Sequence, residues 1–257
     1  MIKPSTRPAA ALIRASALAV MLACAACGPS SDVDAQSGPA STGGGADTNP
    51  LDQMAGVESL GWLTTLNDLY PDEYSRLGAV VDHEVGSGSD VVAARTTLME
   101  AFLPFMAKRK RSLRSAADEL LVDYLRLNLA ALEHLKTENP QACVEIAQGK
   151  LDPSTQLSQT AWTKTSEATA QLLKAAHGAE ASPVARPDPT LTAEEQHKWF
   201  VEIGNAGATR RTAELLRDPA AAARASADEL CQVRILLMKG ALLSPPETAA
   251  KIVLAAG

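Results

Sequence analysis

Metal or proton-transfer chemistry in this chain would have to be built from four histidines, His83, His134, His177 and His197. None stands in an H-E-x-x-H pair, the helical zinc-protease spacing. Glu194 and His197 form a single E-x-x-H, which puts both on one helix face. A di-iron bundle needs two such motifs and two further inward glutamates. A glutamate in the first turn of a helix is expected for dipole reasons alone. Asp82-His83-Glu84 precedes a Gly-Ser loop, but adjacent helical residues face different ways, so a solvated helix end is the simpler reading. Ser87 lies between glycines, yet it lacks the G-x-S-x-G pattern and a preceding strand. No catalytic residue, metal ligand or cofactor site is therefore assigned. Trp62, Trp162 and Trp199 are scattered and read as core or half-buried; an exposed one would be a contact candidate.

The densest charge feature is Lys108-Arg109-Lys110-Arg111 with Arg114. Five cations in so short a span suit an anionic glycan, lipid head groups or an acidic envelope protein. They also suit a solvated helix end whose cations complement the dipole. Gly43-Gly44-Gly45 is not a phosphate loop, because no GK[ST] follows it.

The sequence has 24 basic and 30 acidic residues, and the first three basic ones, Lys3, Arg7 and Arg14, are the only charges before Asp32. They precede a small and apolar run from Ala15 to Ala26. A basic start, a short apolar run and small residues before a cut site describe a secretory leader, here residues 1–26. The run is too short to span a roughly 30 Å hydrocarbon core. Ala25-Ala26-Cys27-Gly28 resembles the lipobox of bacterial lipoproteins, where small residues precede the Cys that is acylated. The resemblance covers only the first 30 residues or so, and Cys24 stands where Leu is usual. Cys24 is a rival acceptor, but Cys27 has two small residues before it and Gly-Pro-Ser after it. The resemblance implies a membrane anchor through Cys27. Gly28 in place of Asp leans the location towards the outer membrane, on the periplasmic face.

Loss of the leader takes the basic count to 21 against 30 acids, a formal charge of −9. An acidic, exported chain is a poor nucleic-acid binder. Acylation of Cys27 would also remove Cys24 with the leader and leave Cys143 and Cys231. Two thiols in an oxidising compartment are expected to pair as a disulfide.

Residues 27–50 are rich in Gly, Ser, Pro and Ala and hold one large aliphatic, Val33. Such a stretch buries too little to offset its ordering entropy and reads as a disordered tether. About 23 flexible residues span roughly 25 Å root-mean-square. The remainder, residues 51–257, is expected to be all-α, a bundle of about eight to nine helices. Aromatics are only 4%, so a core must come from many Leu, Val, Ile and Ala contacts.

Leu60, Leu63, Leu66 and Leu69 recur at helical spacing, and Pro71 begins a short helix to Val81. Ser89 or Asp90 caps a helix to about Ser112 that Pro104 should kink. Ser115 opens a helix whose leucines, from Leu120 to Leu135, cover so wide a face that it should be central. Asn139-Pro140 starts a short helix ending before Gly149. A polar helix follows from Ser154 to His177, stopped by Gly178. The prolines of 179–190 mark a linker, a sub-boundary or an extended crossing. Capping boxes are expected at Thr192/Glu195, Ser226/Glu229 and Ser244/Glu247. Ala-Asp-Glu-Leu occurs at 117–120 and again at 227–230. That repeat is either a duplication giving two similar helical halves or a coincidence of Ala-Leu-rich helices.

The functional expectation is an exported, lipid-anchored helical binding or scaffold protein of the bacterial cell envelope. An alternative is a periplasmic inhibitor or immunity-type protein. An envelope enzyme has the least support.

Overall fold

The leucine and alanine periodicities become helices in a computed structural model that describes residues 51, 60–150, 155–186 and 190–256. The leader, Cys24, Cys27 and the tether lie outside the described residues. Within those residues there are eleven α-helices and no strand, so the body is all-α. Asn49–Gly257 forms one unit.

Three helices make the first layer: α1 (Trp62–Leu69), α2 (Pro71–Gly86) and α3 (Val91–Arg109). A 3₁₀ turn, Ser112–Ser115, leads into α4 (Asp118–Glu138), α5 (Pro140–Ala147) and α6 (Gln159–Ala181). Then come α7 (Ala193–Asn205), α8 (Arg210–Arg217), α9 (Pro219–Ala222), α10 (Ala227–Leu242) and α11 (Pro246–Ala256).

The central role of α4 follows from its leucines, which face three cores. Leu121 packs with Ala175, Ala176 and Ala179 of α6. Val122 and Leu125 meet Ala241, Ala249 and Ile252. Leu129, Leu132 and Leu135 meet Cys143, Cys231 and Ile235. Leu121, Leu132 and Leu135 are fully buried, and each such leucine contributes about 1.5–3 kcal/mol. The first layer has its own core, in which Trp62, Leu66, Tyr70, Leu77, Leu98, Phe102 and Phe105 gather around Leu173 of α6.

Helix α6 departs from expectation. It starts at Gln159, capped by the Ser158 side chain, and runs through Gly178 to Ala181. Gly178 is not a stop but a point of close approach: a Cβ there would lie 3.0 Å from Leu120 Cδ1. Its polar appearance is also misleading. Ala161, Ala168, Leu173, Ala175, Ala176 and Ala179 are buried, and small side chains let this helix lie against both α4 and the first layer.

Other boundaries shift for identifiable reasons. Helix α2 continues to Gly86, beyond Val81. Asp90 is the cap of α3, accepting from Ala93 N–H at 2.8 Å. Ser115 ends the 3₁₀ turn instead of opening α4, which starts after Ala117 with Asp118 and Glu119 in its first turn. The capping boxes at Thr192 and Ser226 are formed, and Thr209 makes a third with Thr212. Ser244 closes the end of α10, donating to the Gly240 carbonyl at 3.0 Å. Gly149 (φ +67°) and Gly207 (φ +102°) take the left-handed conformation that ends α5 and α7.

After α6, residues 183–186 leave the helix without regular structure and are held to the α4 entrance. Val184 N–H donates to Ser115 O at 2.8 Å. Arg186, whose side chain is 7% exposed, donates to the Arg114 and Ala116 carbonyls and pairs with Asp118. The two Ala-Asp-Glu-Leu segments both open helices. Leu121, Leu125 and Ala131 share burial with their counterparts Cys231, Ile235 and Ala241. The likeness stops at length: α4 runs to Glu138, whereas α10 ends at Leu242.

Candidate functional site

Tyr70 is the corner on which the candidate site is built. It ends α1, donating its N–H to Leu66 O at 2.7 Å, and it precedes α2, whose first position is Pro71. Pro fixes φ and lacks an N–H, so it suits that position and enforces the bend. The bend sets the Tyr70 ring edge-on to Phe105 of α3, with centroids 5.1 Å apart, and to His177 of α6, at 5.4 Å.

Arg109 covers this aromatic corner. Its guanidinium lies 4.9 Å from the Tyr70 centroid and 4.9 Å from the Phe105 centroid. Glu180, near the end of α6, accepts from Arg109 Nη1 at 2.8 Å, from Ser112 Oγ at 3.0 Å and from the Tyr70 hydroxyl at 3.5 Å. The Tyr70 phenol is pushed up to about 12, by burial first and then by the Glu180 carboxylate, against the pull of Arg109. One carboxylate thus ties together α1, α3, the 3₁₀ turn and α6.

Beside this corner α1, α2 and α3 enclose an open cleft of about 690 Å³. Its apolar walls are Leu69, Tyr70, Pro71, Ala101, Pro104 and Phe105, and Asp72, Glu73, Arg76, Lys108 and Arg109 complete the lining. Arg76 is already engaged, donating twice to Glu73 and once to Ala101 O. Lys108 is exposed at the rim, and no ion pair holds it among the described residues. The arrangement suits non-covalent contact with an apolar group that also carries an anion.

The basic cluster therefore splits. Arg109 turns inward to Tyr70, Phe105 and Glu180. Lys108, Lys110, Arg111 and Arg114 are exposed, and none of them is in an ion pair with a described residue.

No family model, curated protein or solved structure matches this chain.

The other chemistry-bearing residues are not brought together. Asp82 and His83 are exposed at the end of α2. Glu84 accepts from Ser89 Oγ at 2.6 Å, and Ser87 Oγ donates to the Glu84 carbonyl at 2.6 Å, so this trio finishes a helix. Glu194 pairs with Lys198 at 2.7 Å, leaving His197 exposed. His134 lies 3.3 Å from Glu138. Among the described residues, no group of three His, Cys, Asp or Glu side chains could hold a metal ion.

Trp62 is buried, and its backbone N–H donates to Ser166 Oγ at 2.9 Å. Trp162 lies under Arg95, and Trp199 Nε1 donates to Leu237 O. Sequence reasoning missed Glu138 and Glu180. Glu138 accepts both the N–H and the hydroxyl of Ser158, at 2.6 Å each. These bonds, with the hydroxyl's first, hold its carboxyl below the usual range.

Cys143 and Cys231 are joined as a disulfide, with Cα atoms 5.7 Å apart. Both are fully buried beside Leu132, Leu135 and Ile235. The bridge ties the first half of α5 to the second turn of α10.

Proposed function

We propose that this chain is an exported, lipid-anchored helical binding protein of the bacterial cell envelope. The observation that carries the reading is the buried Cys143–Cys231 bridge, because disulfides persist in oxidising compartments and are rare in the cytosol of mesophiles. The leader-like residues 1–26 and the lipobox-like Cys27 agree with export. More than one acyl chain is needed for stable anchoring, as each buried CH₂ contributes only about 0.8 kcal/mol. Among the described residues, no helix is long and apolar enough to cross a membrane, so attachment in this reading rests on Cys27. The Tyr70 cleft and the exposed cations beside it are the binding apparatus, and their chemistry suits anionic partners. Gly28 leans the anchored form towards the outer membrane.

The test is membrane fractionation with palmitate labelling of the native chain, Cys24→Ala and Cys27→Ala. Label and membrane partition lost only in Cys27→Ala support the anchor. Unchanged labelling of Cys27→Ala removes Cys27 as acceptor, and loss in Cys24→Ala alone moves the role to Cys24.

A further inference from the structure

We propose that the solvent-facing side of α3 and the turn after it is a docking surface for anionic lipid head groups. It deepens the binding reading above, resting on the envelope location but not on which cysteine is acylated.

One face of α3 is fully committed inward. Phe102, Phe105 and Met106 are buried, and Arg109 is held by Glu180 at 2.8 Å. The opposite face is therefore fixed in orientation. Leu103 (52% exposed), Pro104 and Ala107 lie along it. Lys108 and Arg111 continue the same face at helical spacing. Lys110 and Arg111 keep right-handed helical dihedrals past the end of α3, so the strip runs on towards Arg114. An apolar patch thus passes directly into four exposed cations. Glu100, exposed one turn before Leu103, marks its acidic end.

Charge decides how such a strip would be used. After loss of the leader the chain carries about −9 overall by formal count. An anionic surface repels most of this protein and attracts this strip, so contact is oriented. Each Lys or Arg near an anionic bilayer strengthens binding about fivefold. A surface-lying helix also places an apolar patch at the head-group boundary, which Leu103 and Ala107 supply and an acidic protein or polyanion would not require.

The test uses residues 28–257, which keep the tether and the whole Asn49–Gly257 unit but carry neither leader nor acyl chain. Co-sedimentation is measured with vesicles of phosphatidylglycerol and phosphatidylcholine, and with phosphatidylcholine alone. Binding is expected only where phosphatidylglycerol is present, falling steeply with salt. Reversal of Lys108, Lys110, Arg111 and Arg114 to Glu should weaken it at least a hundredfold, and their change to Gln should weaken it while leaving helicity intact. Leu103→Ser should weaken it several-fold at unchanged salt slope. Three results overturn the proposal: no binding to phosphatidylglycerol, unchanged binding in the folded Gln variant, or equal binding to soluble polyphosphate with Leu103→Ser silent. The last would make the strip a polyanion site. Because the probe lacks an acyl chain, these results stand apart from the Cys27 experiment.

Discussion

Arg109 Nη1 donates to Glu180 Oε1 at 2.8 Å, and this bond separates one structural cation from four surface ones. Glu180 also accepts from Ser112 and Tyr70, so its loss leaves several partners unsatisfied at once. Glu180→Ala should lower stability by about 1–3 kcal/mol in urea unfolding. The same change should bring Tyr70 down from about 12, partway to its ordinary 10, because burial remains while the carboxylate is gone. Ultraviolet titration reads that shift. An unmoved Tyr70 would mean that Glu180 does not face the phenol in solution.

The disulfide permits a sharper test of stability than of function. It closes a separation of 88 residues, and on the chain-entropy model such a loop contributes roughly 4–5 kcal/mol. Urea unfolding of the native chain and of the Cys143→Ala, Cys231→Ala double variant should differ by much of that amount. Reductant should destabilise the native chain and leave the double variant unchanged. Labelling of Cys143 and Cys231 in unreduced, unfolded protein would show that the bridge is not formed.

Two helical glycines should respond in opposite ways to the same methyl group. At Gly240 a Cβ would lie 2.6 Å from Ile203 Cγ1 and 2.9 Å from the Ile203 backbone nitrogen. Backbone cannot swing away, so Gly240→Ala should destabilise the α7–α10 crossing by more than the roughly 1 kcal/mol that helix propensity returns. At Gly178 the neighbour is Leu120 Cδ1, a side-chain tip at 3.0 Å. Gly178→Ala should be neutral or mildly stabilising. Equal midpoints for native protein and Gly240→Ala in urea would mean that the two helices are not so close.

Leucine spacing made α4 legible as the central helix, and the cysteine count made the bridge legible. Short polar signals placed Asn139, Thr192 and Ser226 as helix starts. Glycine was ambiguous, because Gly149 and Gly207 end helices by positive φ while Gly178 and Gly240 serve close packing. Sequence spacing cannot tell those uses apart. The Tyr70 corner was not legible either. Glu180 lies 110 positions from Tyr70 in a stretch that looked like the far side of a helix stop. Arg109 was indistinguishable from its basic neighbours until Phe105 and Glu180 fixed its direction.

The C-terminal part carries a pH-sensitive clamp. Lys251, buried to 8% exposure, lies between Glu195 at 2.8 Å and Glu247 at 3.3 Å. The Lys251 hydrogen bond, followed by the Thr192 N–H, holds the Glu195 carboxyl below its ordinary 4.5. Glu195 in turn raises Lys251 above its ordinary 10.5. A depressed carboxyl binds protons more readily in the unfolded chain, so its stabilisation is complete above the unfolded value and lost as pH falls through the lower folded one. The raised ammonium acts in the opposite sense: its contribution is full below 10.5 and is lost as pH rises through the higher folded value. The native chain should therefore lose stability below about pH 4.5 and again above about pH 10.5. Glu195→Gln should flatten part of the acid limb, leaving the share due to Glu138, Glu194 and Glu229, which are also depressed. It should weaken the alkaline limb as well, because Lys251 then keeps only Glu247. Urea midpoints across the pH range decide it. Identical acid slopes for Glu195→Gln and the native chain would show that Lys251 does not hold that carboxylate in the folded state.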